Sequence, residues 1–108
     1  MKATLRNRED VERVFRDGRR TRRGRVTVLA LESGDRGVRH CIIVSGGVGG
    51  AVRRNRFKRV LREELRRVAG ELGGTDVVIL CRGDASSGSA DAARREARML
   101  LEGLRRKK

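Results

Sequence analysis

The stretch that most constrains this chain lies between residues 38 and 82. An apolar, β-rich run, VRHCIIVS, is followed by the glycines Gly46, Gly47, Gly49 and Gly50. A segment with helical spacing then runs to residue 69, Gly73 and Gly74 stop it, and TDVVILCR follows. Strand, glycine loop, helix, glycine stop and strand is the only economical reading of that order. At about 100° per residue, Phe57, Val60, Leu61, Leu65 and Val68 collect on one side of the helix. Arg56, Arg59, Arg62, Arg66 and Arg67 collect on the other. Arg54 and Lys58 fall on or beside the apolar side near its start. A core cannot hold them without partners, so they are expected to project past a sheet edge into a cleft.

The rest of the chain supplies partners for such a unit. NREDVERVFRD, residues 7 to 17, predicts a short helix. Asn7 caps it, Glu9 and Asp10 stand in the first turn, Val11, Val14 and Phe15 share a face, and Gly18 ends it. RRTRRGR, residues 19 to 25, is basic and reads as a short strand or a loop. VTVLALE, residues 26 to 32, predicts a strand, and SGDRG separates it from VRHCIIVS. These two strands are expected to pair as an antiparallel hairpin. GDASSGSAD reads as a loop with an N-cap at Ser89, before a final amphipathic helix over residues 91 to 108. The order α, (β), β, β, α, β, α indicates an α+β sandwich with one layer of sheet. The 108 residues suit one domain, 1–108, without linker or repeat.

Charge then narrows the function. Lys and Arg number 28 against 14 Asp and Glu, a net charge of +14, and 24 of the basic residues are Arg. Such self-repulsion destabilises a folded chain unless a polyanion neutralises it. Nucleic acid is the first expectation and an acidic membrane surface the second. Residues 51–69 carry eight basic and two acidic side chains, whereas 76–102 carry four and five. A merely solvated surface would mix the signs.

Other classes fit poorly. No run approaches the ~18 apolar residues that span a bilayer, and MKATLRNRED lacks a signal peptide's apolar core. Cys41 and Cys81 each sit in an apolar run, which suits reduced core thiols in a cytoplasmic protein. His40 has no partner at ligand spacing. The glycine loop is not a Walker loop, since Ala51, Val52 and Arg53 stand where Lys and a hydroxyl residue are required. It is not a dinucleotide fingerprint either, because Val52 replaces the third glycine. Nor is there a helix-turn-helix layout, because strands flank the basic helix.

Residues 51 to 63, AVRRNRFKRVLRE, resemble the signature of the bacterial ribonuclease P protein component. Ala51, Arg54, Asn55, Arg56, Lys58, Arg59 and Arg62 match it. VERVFRDGRR, RHCIIVS and TDVVILCR resemble the elements around it across nearly the whole chain. The resemblance implies a ribosomal-S5-like, two-layer α/β sandwich with a left-handed β-α-β crossover, against a right-handed rule that holds in about 98% of cases. It also implies a small cofactor protein of an RNA enzyme. The RNA, with bound Mg2+, removes the 5′ leader of precursor tRNA, and no protein residue is catalytic.

By the same resemblance, Arg53, Arg54, Asn55, Arg56, Lys58, Arg59, Arg62 and Arg66 face the catalytic RNA. Val11, Phe15 and Ser45 belong to a cleft for the single-stranded leader. Phe15 reads equally as a core residue of the first helix. The chain departs from the family pattern at Gly46 and Gly47, where two Lys are usual. It departs again at Gly50 for Asn, at Val11 for an aromatic, and at Phe57 for an aliphatic residue. The alternative function is a structural or chaperone RNA-binding protein of ribosomal type. Neither a small-molecule cofactor nor a membrane partner is expected.

Overall fold

The computed structural model describes residues 3–5, 7–34, 37–83 and 89–106. The reading of residues 84–88 as a loop lies outside them. The elements are β1 (Ala3–Thr4), α1 (Arg8–Asp17), β2 (Arg19–Arg23), β3 (Val26–Glu32), β4 (Arg39–Val44), α2 (Ala51–Val68), β5 (Thr75–Cys81) and α3 (Ala90–Arg106). Apart from the two-residue β1, this is the expected α-β-β-β-α-β-α order. The strands form one sheet in the order β1-β4-β5-β3-β2.

Local chemistry sets the helix ends. The Asn7 side chain accepts a hydrogen bond from the Glu9 amide at 2.8 Å, with Glu9 and Asp10 in the first turn of α1. Ser89 Oγ accepts from the Ala92 amide at 3.2 Å and opens α3. A single 3-10 turn, Ala69–Glu71, finishes α2.

The expected hairpin of VTVLALE with VRHCIIVS does not form. β3 pairs instead with β2, Arg19 opposite Ala30 through Arg23 opposite Val26. β5 then inserts between β3 and β4, antiparallel to the first and parallel to the second. All seven β5 residues are buried, which only a strand covered on both faces can achieve. An apolar run without alternation therefore takes the centre of the sheet. β3, with neighbours on both sides, cannot also pair with β4.

The two sheet faces are filled differently. Val26, Val28, Ile42, Val44, Val77, Ile79 and Cys81 meet Phe57, Val60, Leu61, Leu65 and Val68 of α2 and Ala93, Ala97 and Leu101 of α3. On the other face Val14 of α1 packs with Leu29, Val78, Leu80 and Leu5, flanked by Val11, Phe15, Leu31 and Cys41. An ion-pair set ties α1 to this face. Arg39 grips the buried Asp76 through two bonds of 2.8 and 2.6 Å and reaches Asp10 of α1 at 3.3 Å.

Candidate nucleic-acid interface

Helix α2 is 18 residues long, about 27 Å. Its sheet-facing side buries the five apolar residues expected of it. Asn55, Arg56, Arg59, Arg62 and Arg66 are exposed on the opposite side. Asn55, Arg59, Arg62 and Arg66 recur at i, i+4, i+7 and i+11, so they form one stripe about 16 Å long. No carboxylate among the described residues pairs with Arg56, Arg59, Arg62 or Arg66. The guanidinium groups thus face solvent together and without compensation.

The remaining basic residues of α2 divide in two. Arg53 is half-buried, with its guanidinium carbon 5.3 Å from the centre of the Phe57 ring. This cation–π contact sets it apart from the stripe. Gly49, at φ 147, lies where a Cβ would meet the Arg53 side chain at 2.6 Å, so the loop glycine gives that arginine room. Arg54 and Lys58 are half-buried on the flank toward β4. The Arg54 Nε is buried without a hydrogen-bond partner. Burial pushes the Cys41 thiol up, and the Lys58 ammonium acts against that shift. Cys41, like Val11 and Phe15, packs against the α1-face cluster. Among the described residues β1 pairs with Arg39 and His40 of β4.

On the α1 face, part of the sheet surface stays accessible beside α1. Val11, Phe15 and Cys41 are half-buried there and Ile43 is part-exposed. Ser45, half-buried, follows β4, and its amide donates to the Cys81 carbonyl at 3.0 Å. Across the sheet the face continues into a hollow of about 380 Å³ lined by Arg20, Arg22, Arg25, Thr27, Leu80, Arg82 and Gly83. Pairing puts Arg20 opposite Leu29 and Arg22 opposite Thr27, so both share the floor's face. The unperiodic look of RRTRR concealed Arg20 and Arg22 among them. Strict alternation of Arg20 and Arg22 about Thr21 was the available signal.

Glu64 is the other residue that sequence reasoning missed. It falls inside the apolar arc of α2, four residues after Val60, and its side chain is 0% exposed. Its carboxylate accepts from Arg67 at 2.9 Å, from Arg94 at 3.1 Å and from Arg98 at 2.9 and 3.0 Å. Burial alone would push this carboxyl up. Hydrogen bonds from Arg98, Arg94 and Arg67 outweigh it and bring the pKa from 4.5 to about 2.

An α+β scaffold whose longest basic helix turns an uncompensated cationic stripe to solvent defines a small protein built to face a polyanion. The chain belongs to the ribonuclease P protein family, whose model matches residues 1–105. It is 35% identical over 83 residues to the ribonuclease P protein component of an Exiguobacterium strain, covering 77% of this chain and 73% of that one. The component from Chlamydia trachomatis serovar D is 40% identical over 84 residues, covering 77% and 70%. Among solved structures, the Thermotoga maritima RNase P protein aligns with a TM-score of 0.74 at 30% identity, over 95% of this chain and 96% of that one. The Staphylococcus aureus protein aligns with a TM-score of 0.82 at 20% identity, over 94% of each chain, which speaks for the fold.

Proposed function

We propose that this chain is the protein subunit of ribonuclease P and assists the RNA-catalysed removal of the 5′ leader from precursor tRNA. The observation that carries this reading is the solvent-facing row Asn55, Arg59, Arg62 and Arg66, set within a family match to nearly the whole chain. Docked on folded RNA, each guanidinium offers a planar fork to phosphate oxygens, and the released counterions supply affinity. Arg56 borders the row, and Arg54 and Lys58 turn toward the cleft.

The leader lies on the uncovered α1 face. Lys58 marks its β4 edge, and Arg20, Arg22, Arg25 and Arg82 mark the other side. From β4 to β2 is three strand spacings, about 14 Å. Val11 and Phe15 form the wall, where Phe15 stacks a base or meets it edge-on. Ser45 stands at the end of β4. With glycines at positions 46 and 47, the arginine hollow becomes the main source of positive charge on this face.

Cutting belongs to the RNA and its bound Mg2+. The described residues hold no group of three His, Cys, Asp or Glu arranged for a metal ion. No described helix is long and apolar enough to cross a membrane, and the proposed place of action is the cytoplasm. The test is cleavage of precursor tRNA by a bacterial ribonuclease P RNA at low magnesium. Added chain should accelerate release of the leader. Binding without acceleration would favour a structural RNA-binding role of ribosomal type.

A further inference from the structure

The cluster around Glu64 is larger than a helix clamp requires. One carboxylate neutralises one charge, yet three guanidinium groups converge on it, and Arg94 also bonds Glu63 at 3.0 Å. Three arginines against two glutamates leave the cluster positive. The arrangement is polarised as well. The Glu64 side chain is 0% exposed, whereas those of Arg94, Arg67 and Arg98 are 33%, 49% and 49% exposed. The negative charge is thus turned inward and the positive charge outward.

Position matters equally. Glu63 and Arg67 lie next to Arg62 and Arg66 in the chain and border the stripe on the helix surface. Arg94 and Arg98, one turn apart on α3, carry the cationic surface across the α2–α3 seam. Beneath them the seam is apolar, with Val60, Leu61, Ala93 and Ala97. An apolar residue at position 64 would pack such a seam without the desolvation that a buried ion cluster entails.

We propose that Arg67, Arg94 and Arg98, gathered on the buried carboxylate of Glu64, form a second RNA-backbone contact that extends the α2 stripe onto α3, with Glu64 as its positioning residue. This rests on the reading of the stripe as an RNA-docking surface. The occupant is the phosphodiester backbone of folded RNA, whose fixed phosphates suit pre-aligned forks. The carboxylate spends no contact on the RNA. It fixes three long side chains that would otherwise lose their freedom on binding.

The test is the salt dependence of binding to a bacterial ribonuclease P RNA, with folding checked by circular dichroism and thermal melting. Arg94→Gln with Arg98→Gln should lower the slope of log affinity against log salt by about two. Exposed Arg95→Gln, outside the cluster, should leave that slope unchanged. Glu63→Gln adds one net positive charge and should leave binding equal or tighter. Glu64→Gln adds the same charge yet should weaken binding several-fold, because the forks lose their anchor. Charge counting alone predicts tightening for both glutamines. Tightening by Glu64→Gln, an unchanged slope in the Arg94/Arg98 variant, or an equal slope loss in Arg95→Gln would overturn the proposal. Should Glu64→Gln fail to fold, the arginine variants decide alone. Arg59→Ala with Arg62→Ala is the reference: a slope lost there but kept in the α3 variant defeats this inference only. A slope kept in both defeats the stripe reading as well.

Discussion

Replacing Glu64 with Gln keeps the shape of the side chain and removes the charge that three arginines share. The carboxyl titrates near 2 in the folded protein against 4.5 unperturbed, a gap of about 2.5 units. At about 1.36 kcal/mol per unit, the ionised form contributes ~3 kcal/mol of stability at neutral pH. Because the folded pKa lies below the unfolded value, this contribution is complete above pH 4.5. It is lost as pH falls toward 2, and by pH 3 less than half of it remains. Urea denaturation of both proteins at pH 7 should show the variant's midpoint lower by roughly 1.5 M, for a slope near 2 kcal/mol/M. Its melting temperature should fall by roughly 10–20 °C. The gap between the proteins should shrink by more than half between pH 5 and pH 3. A gap under about 0.5 kcal/mol at pH 7, or one that stays constant to pH 3, would refute the assignment of a charged, shared carboxylate.

Three further outcomes follow from the packing. Phe57→Ala removes a buried ring from the junction of α2 with the sheet and should cost about 3–5 kcal/mol in chemical denaturation. Arg39→Met leaves the Asp76 carboxylate, 2% exposed, without its fork and should cost about 3–5 kcal/mol, whereas Asp10→Asn at the outer arm should cost under about 1 kcal/mol. Burial, aided by Glu96, pushes the Cys81 thiol up to about 11, and burial raises Cys41 as well. At pH 8 alkylation should be slow at Cys41 and slower at Cys81, and denaturant should release both.

Much of the fold was legible because each element carried a local cause. The Asn7 and Ser89 caps, the Gly18 and Gly73–Gly74 stops and the apolar arc of α2 all act within a few residues of where they are read. The strand order was not legible. It depends on which run must be covered on both faces, and TDVVILC competes for the centre with VTVLALE, its near equal in apolar content. Local separation by SGDRG suggested a hairpin, and non-local burial of β5 overrode it. The interface divided in the same manner. The exposed stripe follows from helical period alone, and the flanking position of Arg54 and Lys58 was read from the same wheel. Glu64 escaped because its partners Arg94 and Arg98 stand 30 and 34 residues away. The arginine hollow escaped because the sheet face of β2 is fixed only by its pairing with β3.

The most direct measurement of the central claim is the affinity of the chain for a bacterial ribonuclease P RNA over a range of salt, with and without Arg59→Ala and Arg62→Ala. Both side chains face solvent without a partner among the described residues, so their loss should leave the fold and melting temperature nearly unchanged. The account predicts weaker binding at every salt concentration and a slope smaller by about two. Equal affinity and an equal slope in the folded variant would contradict it.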